Sequence, residues 1–130
     1  MKRLAYATIT SMLMIAAATS QETGNARSGE EVRVGWIGSV GDNCKPNPAP
    51  EVKPSSVAGH GQIKLTRGEV QTNSIPQCPG VKIPAIVVFY RSSQAFEGED
   101  RFVLSVKNGD RTTERTYVIR VGRKTAPIKI

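Results

Sequence analysis

The sequence is poor in the residues that build active centres. It holds one histidine, His60, and two cysteines, Cys44 and Cys78, in 130 residues. A single imidazole has no companions for a metal site. No nucleophile or orienting group can be nominated beside it for acid–base work. His60 stands between Gly59 and Gly61, which reads as an exposed turn. The cysteines are far apart rather than a close C-x-x-C, which argues against a redox pair. The glycine signals of phosphate binding are missing too. Gly35, Gly38 and Gly41 do not fit G-x-G-x-x-G, and Gly122-Arg123-Lys124-Thr125 lacks the upstream glycine and strand–helix context of a P-loop. No catalytic residue, metal ligand or cofactor is expected.

Helical signals are equally scarce. After residue 30 no segment sustains a 3.6-residue apolar period with caps, and glycine and proline recur too often. Aromatic residues make up only 5% of the chain and do not interleave with the basic ones, so nucleic acid is not an expected partner. Beyond the N-terminus no stretch is long or apolar enough to cross a bilayer.

What is present begins at the N-terminus. Lys2 and Arg3 precede an apolar run from Leu4 to Ala18, which ends in small residues and turns polar at Gln21-Glu22-Thr23. This is the layout of a secretory signal peptide over residues 1–20, and cleavage after Ser20 would put Ala18 and Ser20 at the small-residue positions. The run is short for a spanning helix and carries hydroxyls. Removal of that segment leaves about 110 residues, one domain of ordinary size. The formal charge of +7 falls to about +5 with the loss of Lys2 and Arg3, a balance that suits anionic surfaces outside the cytoplasm. Export would carry Cys44 and Cys78 into an oxidising compartment, where an even count reads as a structural disulfide.

Residues 21–30 are small and polar and read as a flexible leader, which leaves residues 31–130 for the domain. Glu31 to Ile37 alternates, with Val32, Val34 and Trp36 on one face. Residues 44–56 hold four prolines and read as extended loop or edge. Ile63 and Leu65 point inward from a strand that ends at an Arg67-Gly68 turn, and a weaker strand follows to Ser74. Pro76 and Pro79-Gly80 break the chain around Cys78. The run Ala85 to Tyr90 reads as a central strand buried on both faces. Glu97 to Asp100 reads as a turn. Phe102, Leu104 and Val106 then share a face, Asn108-Gly109 signals a hairpin, and Tyr117, Ile119 and Val121 answer. Six or seven short strands at this spacing predict an all-β sandwich in a single domain.

Three strings carry a family resemblance: Gly59-His60-Gly61-Gln62-Ile63, Val87-Val88-Phe89-Tyr90, and Phe96 to Phe102 with its Phe-x-Gly-x-Asp-x-Phe character. Together they resemble the bacterial immunoglobulin-like and cadherin-like domains of surface and secreted proteins, over roughly Val57 to Val121. The resemblance implies an immunoglobulin-like β-sandwich of about seven strands. In that pattern Asp100 caps the turn. Calcium, which cadherin-like relatives hold between successive domains, would lack the neighbouring domain that completes such a site around Glu97, Glu99 and Asp100.

The C-terminal third is the most basic. Arg111, Arg115, Arg120, Arg123 and Lys124, with Lys129 beyond, form a candidate interaction face for phosphate or acidic sugar. The expected protein is a monomeric, non-catalytic interaction or structural module of the cell envelope, periplasmic or secreted. Its partner is an envelope protein or an anionic envelope component. An inhibitor or immunity-type protein, blocking an enzyme with the Pro-rich 45–54 loop, is the alternative.

Overall fold

The computed structural model describes residues 19–123. Their strands are β1 (Thr19–Arg27), β2 (Glu31–Ile37), β3 (Glu51–Ser56), β4 (Gly61–Thr72), β5 (Val81–Ser92), β6 (Gly98–Asn108) and β7 (Arg111–Gly122). One sheet runs β1-β7-β6-β3 and the other β2-β5-β4. Neighbours are antiparallel, except that β1 runs parallel to β7. The expected all-β sandwich is what forms. Its neighbour sets β2-β5-β4 and β7-β6-β3 are the B-E-D and G-F-C sets of an immunoglobulin sandwich, with the first strand moved to the β7 side. Among the described residues the sole helical piece is a three-residue 3-10 turn, Asp42–Cys44, and no helix is long and apolar enough to cross a membrane.

The core follows the period of two. Val88 and Tyr90 of β5, Phe102, Leu104 and Val106 of β6, and Tyr117, Ile119 and Val121 of β7 are buried between the sheets. The Phe102 ring stacks on Tyr117 at 4.8 Å and on Tyr90 at 6.1 Å. A single carboxylate crosses this core. Asp100, 3% exposed, accepts the Tyr90 hydroxyl at 2.6 Å. It also accepts the amides of Gly59 (3.0 Å), His60 (3.1 Å) and Arg101 (2.9 Å). Asp100 therefore caps not its own segment, which is already strand from Gly98, but the turn that enters β4.

Strand β5 is not buried on both faces along its length. It changes its buried face midway. Val88 and Tyr90 face the other sheet, whereas Ile83 and Ala85 sit on the opposite face and are fully buried there. Gly38, just after β2, lies against Ile83, Pro84 and Ala85, where an added Cβ would come within 2.9–3.2 Å. The connection that follows is pinned by the Cys44–Cys78 disulfide, with Cα atoms 5.5 Å apart. The bridge ties the Pro-rich segment to the approach of β5, as expected.

Several local readings are corrected. Residues 21–27 are not a flexible leader but most of β1, in register with β7 from Gln21↔Thr116 to Arg27↔Gly122. The polar composition hid this, because the inward positions are the small Gly24 and Ala26. Gly24 packs near Ile119 and Val34, and backbone pairing to β7 does the rest. Arg67-Gly68 is no turn, for β4 pairs with β5 without interruption from Gly61↔Ser92 to Thr72↔Val81. The bend near residue 97 falls earlier, at Gln94-Ala95, and Gly98 already opens β6. In the β6–β7 hairpin Asn108 pairs with Arg111, so Gly109 and Asp110 are the central residues. Gly109 alone there has positive φ, at 58°, as the first central residue of a type II′ turn does. The expected signal peptide lies outside the described residues, apart from Thr19 and Ser20.

Candidate functional site

The basic residues singled out from the sequence do not share a face. Arg115 stands opposite Leu104 and in phase with Tyr117, while Arg111 opens β7 opposite Asn108. Burial pushes the Tyr117 hydroxyl pKa up, and the Arg115 guanidinium beside it pulls the other way. Arg120 is out of phase with these and projects from the outer face opposite Glu99. Arg123, beyond the end of β7, is held by Glu97 at 3.1 Å. Lys124 lies outside the described residues. A one-face reading fails because these residues differ in strand parity and reach both ends of β7.

The other polar candidates are absorbed by structure. His60 stacks on Phe96 with ring centroids 4.1 Å apart. Its carbonyl accepts the amide and hydroxyl of Ser93. Glu97, Glu99 and Asp100 diverge: Glu97 pairs with Arg123, Glu99 with Arg101, and Asp100 turns into the core. On the outer face of the four-stranded sheet two of the cations are paired. Lys53 meets Glu51 at 2.9 Å and Arg101 meets Glu99 at 3.2 Å.

The outer face of the three-stranded sheet is different, and a bulge in β2 makes it so. Val32 pairs with Tyr90 and Arg33 with Phe89, but Gly35, not Val34, comes opposite Val88. The extra residue reverses the phase. Val32 and Val34 pack on the core, and Trp36 is then carried to the outside opposite Val87. Trp36 thus does not share the face of Val32 and Val34, as strict alternation would have it. The glycine at 35 was the available signal, since glycine inside a strand often marks a bulge.

Cross-strand partners share a face, so the register lays out this surface in rows. Glu31, Arg91 and Gln62 form the first, Arg33, Phe89 and Lys64 the second, and Trp36, Val87 and Thr66 the third. Trp36, Val87 and Phe89 are half-buried, and the polar members of the rows are exposed. Strand spacing makes the patch about 10 Å wide and about 14 Å long. The Lys64 ammonium lies over the Phe89 ring, 5.8 Å from its centroid. Arg91 donates through Nε to the Gly29 carbonyl at 2.9 Å. Among the described residues neither Arg33 nor Lys64 is in an ion pair. This face presents aromatic surface flanked by unmatched positive charge.

Two concavities adjoin it. A groove of about 590 Å³ is lined by Arg27, Arg120 and Arg123 but also by Glu30 and Glu31, so its charge is mixed. A polar cleft of about 490 Å³ is lined by His60, Arg91, Ser92 and Ser93. No group of three or more metal-type ligands occurs among the described residues.

No family model matches the chain, and no curated protein matches it. Among solved structures it is similar to an endo-fucoidan hydrolase of glycoside hydrolase family 107, at 14% identity and a TM-score of 0.47. That likeness covers 82% of this chain and spans 13% of the hydrolase. It is also similar to the solution structure of amebosin, at 15% identity and a TM-score of 0.43, covering 82% of this chain and 99% of that one.

Proposed function

We propose that the chain is an exported, non-catalytic interaction module of the cell envelope, a relative of the bacterial immunoglobulin-like domains. Its working surface is the outer face of β2-β5-β4. The observation that carries this reading is the row Arg33–Phe89–Lys64 with Trp36 beside it. Aromatic surface on a sheet, flanked by Arg33 and Lys64, neither in an ion pair among the described residues, suits recognition. The disulfide supports an oxidising compartment. The N-terminal layout supports export, and a strand beginning near Gln21 would survive cleavage after Ser20. The test is retention of tagged protein, produced from the full chain, on envelope extract. Wild type should be retained, and the Arg33→Gln/Lys64→Gln variant should not. Equal retention of the two would remove this face from the function.

A second reading, an inhibitor acting through the Pro-rich loop, is favoured by one feature. That loop is pre-organised. Gly41 donates to the Lys45 carbonyl at 2.8 Å, Asn47 donates to Ser39 through both its amide and its side chain, and Cys44 is bridged. Pre-ordered loops lose little entropy on binding. Retention abolished by substitutions at Pro48 and Pro50, but kept in the sheet-face variant, would select this reading.

A further inference from the structure

We infer that the occupant of this sheet face is an acidic polysaccharide, an inference that rests on the interaction-module reading above. The aromatic rings of the patch are half-buried, and Phe89 lines a shallow hollow of about 120 Å³ with Lys64, Gln62, Arg91 and Glu31. Among the described residues the one exposed large hydrophobic is Val57, in the β3–β4 connection. A lipid surface is gripped by apolar side chains that protrude into it, and this face offers none. A recessed ring between polar neighbours fits a pyranose instead, whose axial C–H groups make an apolar face that packs on an aromatic plane.

Charge then narrows the sugar. Phe89 lies between Arg33 and Lys64 in one row, and Arg91 stands in the next. A sugar stacked on Phe89 displaces the Lys64 ammonium from over the ring, where it lies 5.8 Å from the centroid, and has Lys64 on one side and Arg33 on the other. Guanidinium binds carboxylate or sulfate through two parallel hydrogen bonds, and ammonium binds it as a point charge. The single carboxylate of the patch, Glu31, is opposite Arg91 in the row next to Phe89, so three cations, Arg33, Lys64 and Arg91, stand against one acid. The opposite sheet face carries Glu51, Glu99 and Glu114 among its cations, with Lys53 and Arg101 held in ion pairs, whereas the Phe89 face has one carboxylate. Gln62 and Thr66 supply neutral donors and acceptors for hydroxyls along the same rows.

Trp36 is the only tryptophan in the chain, so its fluorescence reports on this surface directly. The full chain is titrated with polygalacturonate, with its methyl ester, with polyglutamate, and with phosphatidylglycerol vesicles. The inference expects polygalacturonate to change the Trp36 emission with an affinity that falls as salt rises. The methyl ester and polyglutamate should bind at least about tenfold more weakly, since the first lacks the charge and the second the ring. Arg33→Gln/Lys64→Gln should lose about tenfold or more, whereas Lys53→Gln/Arg101→Gln on the other face should lose nothing. Circular dichroism of both double variants confirms that they fold. Equal binding of polyglutamate, preference for the vesicles, equal loss in both double variants, or an unchanged Trp36 emission would each overturn the inference. Retention on envelope extract separates it from the reading beneath it. If Arg33→Gln/Lys64→Gln abolishes that retention while no polygalacturonate binds, the face is functional and the polysaccharide is wrong. If retention is unaffected, the face itself is wrong.

Discussion

Four donors converge on the Asp100 carboxylate, and they come from three parts of the chain: Tyr90 from β5, Gly59 and His60 from the turn before β4, and Arg101 from β6. Removing the acceptor would orphan them together in a nearly dry site. Asp100→Ala should therefore cost about 3–5 kcal/mol, the range for breaking a buried charged cluster. Arg111→Ala at the hairpin should cost under about 0.5 kcal/mol. Urea midpoints measure both, and equal midpoints would refute the assignment. The tyrosine gives a pH signature. Burial, and then the hydrogen bond to Asp100 and its charge, push the Tyr90 pKa well above its usual value. Tyrosine is neutral when protonated, so a raised folded pKa means that the fold holds the proton more tightly than the open chain does. That contribution is complete below about pH 10 and is lost as pH rises beyond it. Tyr90→Phe should flatten the alkaline loss of stability. It should also cost about 1.5–3 kcal/mol at neutral pH, because Asp100 loses a donor. Thermal melts from pH 8 to 12 would show both, with Tyr117, also raised by burial, accounting for the alkaline slope that remains. The Phe-x-Gly-x-Asp-x-Phe setting points to Asp100 as a cap of its own turn, whereas the turn it caps is the distant one at Gly59 and His60. Its burial beside Tyr90 was not legible in the sequence, since nothing local records a contact between strands.

At the scale of elements, β6 and β7 were the most legible, because strict alternation over long stretches admits one face only. Phe102, Leu104, Val106, Tyr117, Ile119 and Val121 are buried where that pattern puts them. The strand total of seven was reached through different elements. β1 is read as leader when burial is judged by composition, and β4 is read as two strands when Arg67-Gly68 is judged by propensity. Both errors have one cause. Backbone pairing to a neighbouring strand supplies what the side chains do not, and a linear reading cannot see the neighbour. Trp36 shows the converse, since one inserted residue reverses a face without altering the local composition. The same logic predicts what β1 is worth. A chain beginning at Gln21 keeps its register with β7 through Arg27, and it should melt within a few degrees of the full chain. A chain beginning at Ser28 would bare the β7 edge and the inner surface under Ala26. It should lose about 2–4 kcal/mol, on the scale of losing buried apolar side chains together with their strand pairing. Equal denaturant midpoints for these two truncations would mean that β1 contributes nothing to stability.

Across the whole molecule, burial divides into two sets. The main core lies between the sheets around Tyr90, Phe102, Leu104 and Tyr117. Val70, Ile83 and Ala85 are buried as well, but outside that cluster. They sit on the outward face of the β4–β5 hairpin, Val70 opposite Ile83 and Gly68 opposite Ala85. Gly38 lies against this part of β5, and the connection beyond it is bridged to Cys78. On the other side of the same hairpin Arg67, Glu69, Gln71 and Lys82 are exposed, so its far end has one apolar face and the covering connection is what shields it. The disulfide then acts locally as well as globally. Closing the loop between Cys44 and Cys78, 34 residues apart, should contribute about 3–4 kcal/mol through the open chain. In addition it holds a cover whose loss would free the hairpin end without dismantling the sandwich. Regions of low local stability exchange their amides through partial openings. In the Cys44→Ser/Cys78→Ser variant, amide exchange should accelerate most at residues 68–72 and 81–85. The amides of Val88, Phe102 and Ile119 should change only by the shared fall in global stability. Exchange followed by mass spectrometry at matched pH distinguishes the outcomes. Uniform acceleration across all seven strands would show one cooperative unit, with the bridge acting on the open chain alone. A localised change would mark the hairpin end and its covering loop as a separable unit.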